Sequence, residues 1–108
     1  MTGEKFEVRT ESGPGGSILY LAGELDLGTA EQLRAAAEAL ALSPQPLKIN
    51  LRDLAYIDST GIGIFVSILK SRQSVQSNLI VAEVPAKIKR LFDMTGLSRF
   101  LEIEGVMG

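Results

Sequence analysis

Two hydrophobic periods alternate along this chain, and that alternation limits its fold more than any single residue does. Phe6-Glu7-Val8-Arg9 alternates apolar and polar residues like a half-buried strand. The turn cluster Ser12-Gly13-Pro14-Gly15-Gly16 then leads into a second apolar run, Ile18-Leu19-Tyr20-Leu21-Ala22. The pair reads as a hairpin. Thr29 and Gln32 have the spacing of a capping box ahead of an Ala-rich helix reaching Leu42, with Leu33, Ala36, Ala37 and Leu40 on one face. Ser43-Pro44-Gln45-Pro46 stops that helix, and residues 47–51 resume as a short strand. A helix has just crossed over, so this strand is expected to be central and parallel.

Residues 53–63 read as a loop passing into a helix that runs to Arg72 or Gln73. A strand at 79–82 leads to Pro85, which suits the first turn of a helix with Ile88, Leu91 and Phe92 inward. Gly96 reads as its left-handed cap with Leu97 over the end, and residues 100–103 as a last strand. The expectation is one α/β domain over residues 1–108, with its core at about 6–103. Its mixed, mostly parallel sheet has about five strands. Crossovers of fixed hand put the helices mainly on one face.

Composition removes most enzyme chemistries. The 108 residues include no His and no Cys, which takes away the commonest general base, the commonest metal ligand and any thiolate site. A net charge of −2 gives no case for nucleic acid or an anionic membrane surface. The charge-free runs at 12–23 and 59–69 fall short of the ~20 apolar residues that a bilayer span needs. Met-Thr-Gly-Glu-Lys at the start has no apolar segment to act as a secretory signal, so a cytoplasmic protein is expected.

Few residues carry chemistry. The glycines at 13, 15 and 16 lack the Lys-Ser/Thr of a phosphate-cradling loop. Gly61-Ile62-Gly63 lacks the third glycine of a dinucleotide motif, where Val66 stands, and reads instead as a point of close approach by a neighbouring backbone or a partner. Asp26, Asp53 and Asp58 invite a magnesium reading, but turn-holding and helix-capping are the blander roles. Ser59 follows a carboxylate at a strand-to-helix junction, yet Ile57 stands two before it and no His exists, so a nucleophile elbow is excluded. Two readings of Ser59 stay open. It caps the helix, or its exposed hydroxyl, near unsatisfied N–H groups, accepts a phosphate. A phosphate adds about −1.5 to −2 charge, with no Lys or Arg between Asp53 and Leu69 to offset it. Ile62, Phe65, Val66 and Leu69 form the expected core stripe of this helix. Ile64 and Ile68 lie round from it, as a docking patch or as further core. Lys87, Lys89 and Arg90 give the next helix a basic outer face.

Three blocks together resemble a known family: Gly23-Glu24-Leu25-Asp26, residues 51–63 with their Asp58-Ser59-Thr60-Gly61 core, and residues 89–97, Lys-Arg-Leu-Phe-Asp-Met-Thr-Gly-Leu. In this order and spacing the chain is similar to bacterial anti-sigma factor antagonists of the STAS domain family, over residues 6–103. The resemblance implies partner switching. The unmodified protein binds an anti-sigma factor that is also an ATP-dependent serine kinase, and so frees the sigma factor. The kinase phosphorylates Ser59 and the complex separates. A metal-dependent serine phosphatase restores the hydroxyl. The partner surface implied is Asp26, Asp58, Ser59, Thr60 and Gly61, with Ile64 and Ile68 beside it. No cofactor belongs to this chain, since ATP is the kinase's. One departure is the end: Glu104-Gly105-Val106-Met107-Gly108 is too short and glycine-rich for the further helix that commonly follows the last strand. Alternatives are a stand-alone subunit of a transporter, lipid-transport or stress-sensing complex, or a binder of a small anion at the helix start.

Overall fold

The computed structural model describes residues 6–108, and the N-terminal Met-Thr-Gly-Glu-Lys lies outside them. Strands β1 (Phe6–Gly13) and β2 (Gly16–Leu25) form the expected antiparallel hairpin. Helix α1 (Ala30–Ala41) then crosses to β3 (Leu47–Ile57), which lies parallel to β2. Helix α2 (Ser59–Ser74), β4 (Ile80–Pro85), α3 (Ala86–Met94), a 3-10 turn (Leu97–Arg99) and β5 (Glu102–Met107) complete the chain. The sheet runs β1-β2-β3-β4-β5, parallel from β2 onward.

The inward residues of the strands, Leu19 and Leu21, Leu47, Ile49 and Leu51, Val81 and Val84, are all buried on the helix-covered face. Leu33 and Ala37 of α1, Phe65 and Leu69 of α2, and Ile88 and Phe92 of α3 close over them in one cluster. The rings of Phe65 and Phe92 meet with centroids 5.6 Å apart and join α2 to α3. Across the other face, Lys48 pairs with Glu104 and Arg52 with Glu83.

Several local expectations change. The capping box does not form: Thr29 makes no side-chain cap bond, and its hydroxyl instead folds back into the preceding turn. β3 continues six residues past Leu51, through what reads in the sequence as loop. Burial there falls on Leu51, Leu54 and Ile57, every third residue, because two register shifts against β2 insert two extra residues in β3 between the Tyr20–Asn50 and Leu25–Ile57 pairings. Gly23 of β2, at φ +95°, lies beside the second of these shifts. Leu91 of α3 faces out, since the nine-residue helix buries only Ile88 and Phe92. Gly96 is left-handed at φ +79° and Leu97 is buried, as read. The last strand begins at Glu102 rather than 100, because the 3-10 turn takes up the preceding residues.

Candidate functional site

β2 and β3 end level with one another, at the paired residues Leu25 and Ile57. The next residues are therefore neighbours: Asp58 N–H donates to Leu25 O at 3.2 Å, and the chain beyond Leu25 turns through Asp26. That turn is closed on itself. Asp26 Oδ1 accepts from Gly28 N–H at 3.0 Å and lies 3.1 Å from Thr29 Oγ1, which also accepts from Asp26 N–H at 2.9 Å. The Thr29 hydroxyl reaches Glu24 O at 2.8 Å, so the strand end and the helix start are tied through one side chain.

Asp58 is the N-cap of α2. Its backbone is extended, and its Oδ1 accepts from Thr60 N–H at 2.9 Å and Gly61 N–H at 3.1 Å. Asp58 O takes Ile62 N–H at 2.9 Å, closing the first turn. The two donors expected to stand open beside Ser59 are thus already occupied, and the cap is Asp58 rather than Ser59. Ser59 itself is exposed, and its hydroxyl makes no hydrogen bond among the described residues. Thr60 and Ile64 are half-buried beside it.

Two residues read from the sequence as partner contacts lie inside. Gly61 is buried: a Cβ there would stand 2.7 Å from Ile57 Cγ1 and 2.9 Å from Leu25 Cγ, so its small size lets α2 sit on the two strand ends. Ile68 is only 4% exposed, in the core between the sheet and α1, and does not belong to the surface. The core stripe of α2 is Gly61, Phe65, Ile68, Leu69 and Arg72, shifted from the expected one. Asp53 is paired with Ala22 within the sheet and does not join Asp26 and Asp58 at the strand ends. Of the basic residues on α3, Lys89 is engaged with Asp93 at 2.8 Å.

Leu27 was missed by the sequence reading. It is 79% exposed in the Asp26 turn, an apolar side chain presented beside the acidic residues. The available signal was its place: one large aliphatic residue within Asp26-Leu27-Gly28-Thr29, where it has no strand or helix face to bury.

The site therefore carries an exposed hydroxyl, two carboxylates fixed by their own turns, and an apolar tip. The family model for the STAS domain matches residues 5–106 of this chain. The chain belongs to the STAS domain family. It is 38% identical over 91 residues to a protein of Listeria monocytogenes named anti-sigma-B factor antagonist, covering 83% of this chain and 80% of that one. Its fold matches that of the anti-sigma factor antagonist SpoIIAA in its unphosphorylated form, with TM-score 0.73 and 18% identity over 95% of this chain and 90% of that one. It also matches the Bacillus protein SpoIIAA in the phosphorylated form, with TM-score 0.70 and 20% identity over 94% and 92%. One STAS fold thus accommodates both states of that protein.

Proposed function

We infer that this chain is an anti-sigma factor antagonist whose binding is switched off by phosphorylation of Ser59. The 38% identity to the Listeria antagonist supports the class. The observation that carries the switch is the Ser59 hydroxyl, exposed in the first turn of α2 while Asp58 holds the helix start beneath it. Modification there alters a surface and leaves the cap in place.

The unmodified protein docks on a cytoplasmic anti-sigma factor through Asp26, Leu27, Asp58, Ser59, Thr60 and Ile64, and the sigma factor is released. The partner is also a serine kinase. Ser59 Oγ gives up its proton to a base of the kinase and forms a bond to the γ-phosphorus of ATP, and the bond to the β-phosphate breaks to leave ADP. The product carries about −1.5 to −2 charge on a surface that already holds Asp26 and Asp58, and the docked partner is rejected. A serine phosphatase returns the hydroxyl by hydrolysis, releasing inorganic phosphate. In all of this the chain is ligand and substrate; the chemistry belongs to its partners.

Intact mass and peptide mapping of the protein recovered from its own cells, growing and stressed, test the reading. A phosphate-sized increment on Ser59 that changes between the two conditions is expected. Ser59 unmodified in every condition would overturn it. The Ser59→Ala protein should bind the anti-sigma factor and take no phosphate. Phosphorylation of that variant at the wild-type rate would move the acceptor to Thr60.

A further inference from the structure

We propose that Asp58 is a positioning residue for the switch, which keeps the phosphoryl group of modified Ser59 out of the start of α2 and turned toward the partner. The proposal rests on Ser59 being the modified residue and adds what becomes of the charge. A phosphate next to a helix start ordinarily has two ways to be neutralised by its own domain: the unsatisfied N–H groups of the first turn, or a nearby Arg or Lys.

The first way is closed here but for one amide. Asp58 Oδ1 holds Thr60 N–H at 2.9 Å and Gly61 N–H at 3.1 Å, and Asp58 O holds Ile62 N–H at 2.9 Å. Of the first-turn amides only that of Ser59 itself is left among the described residues. The second way is closed along the helix as well. The first cation of α2 is Lys70, eleven residues beyond Ser59, which is roughly 16 Å along the axis at about 1.5 Å per residue. Behind Asp58, the Asp26 turn offers another carboxylate, whose Oδ1 already serves Gly28 and Thr29. Arg52 is paired with Glu83.

A helix start needs an oxygen acceptor, and Asn, Ser or Thr would supply one. A carboxylate does more. Its bonds to the amides are charge-assisted and so resist displacement, and its charge repels the phosphate. The phosphoryl group then keeps its full charge for the surface on which the partner docks. It also stands in solvent, within reach of a phosphatase.

The test uses the full chain with phosphoserine installed at position 59 by encoded incorporation, so that the result does not depend on any kinase. Thermal melting and amide NMR spectra are compared with and without the phosphate in the wild type, Asp58→Asn and Asp58→Ala. In the wild type the phosphate should lower Tm and leave the Thr60 and Gly61 amide protons close to their original positions. Asp58→Asn, which keeps the cap and removes the charge, should show a smaller loss with the same two amides unmoved. In Asp58→Ala the sign reverses: the phosphate takes the vacated donors, both amide protons shift downfield, and Tm rises. A rise in Tm with downfield shifts in the wild type would overturn the proposal, because it would mean that the phosphate displaces Asp58. A rise without those shifts would overturn it too, by showing neutralisation elsewhere. If Asp58→Ala does not fold, the wild type and Asp58→Asn still decide. A chain found unmodified in cells would remove the switch assigned above without altering this outcome.

Discussion

Gly61 and Gly63 stand two residues apart on α2 and answer differently to the same added methyl group. At Gly61 the new Cβ would meet Ile57 and Leu25 at under 3 Å, whereas at Gly63 nothing lies within 4 Å. Gly61→Ala should therefore destabilise the protein by about 1–3 kcal/mol, by prising the helix start from the strand ends. Gly63→Ala should stabilise it by roughly 0.8–1 kcal/mol, since Gly is a poor helix former. Urea unfolding of the two variants measures both, and equal effects would contradict the packing described for Gly61. At this scale the geometry of the helix start was legible in part. Asp58 as a cap and Ser59 as an exposed hydroxyl follow from residue type and order. The role of Gly61 did not follow, because a glycine pattern carries no information about which neighbour approaches it.

Arg72 shows why the elements were read less well than the site. It is 1% exposed, and its guanidinium donates to the carbonyls of Leu40 (3.4 Å), Ala41 (3.3 Å), Ser43 (2.7 Å), Gln45 (3.0 Å) and Asn78 (2.8 Å). One side chain of α2 thus satisfies the open C-terminal end of α1 and the Pro-rich connection after it. Burial lowers its pKa from the usual arginine value, but a guanidinium stays charged at neutral pH. Arg72→Met should destabilise the protein by about 1–3 kcal/mol for each carbonyl left buried without a partner, read by chemical unfolding; a change within about 0.5 kcal/mol, as at an ordinary surface site, would contradict this role. A hydropathy stripe cannot find a core that begins with a glycine and ends with an arginine, and so the stripe of α2 was placed one position out and Ile68 was left between docking patch and core, which its burial decides in favour of the core. β3 was cut short for a related reason: its bulges replace a period of two by a period of three over Leu51, Leu54 and Ile57. The order of elements and the turn at Gly96 survived because they rest on Pro and Gly punctuation. Asp93 gives a pH test of α3. Its carboxylate accepts from Lys89 Nζ at 2.8 Å and Ser98 Oγ at 2.5 Å, bonds that hold its pKa below the ordinary carboxylate value. A depressed native pKa means that this contribution is present above about pH 4, the unfolded value, and is lost as pH falls through the native one. NMR titration of the Asp93 carboxyl should give a midpoint below that of an unfolded peptide.

The molecule as a whole separates its stabilising end from the end where the switch is proposed. Arg72 clamps the connections at the far end of α2, while Asp26, Leu27, Asp58 and Ser59 gather at the near end, where β2 and β3 stop together. The helices cover one face of the sheet, and charge added at Ser59 touches none of the buried cluster they form. Phosphorylation is therefore expected to alter what the protein binds and not how it is folded. The most direct test is titration calorimetry of the unmodified and Ser59-phosphorylated protein against its anti-sigma factor. Tight binding of the unmodified form and a loss of at least about tenfold on phosphorylation, ~1.4 kcal/mol, are predicted. Equal affinities of two folded forms would contradict the account.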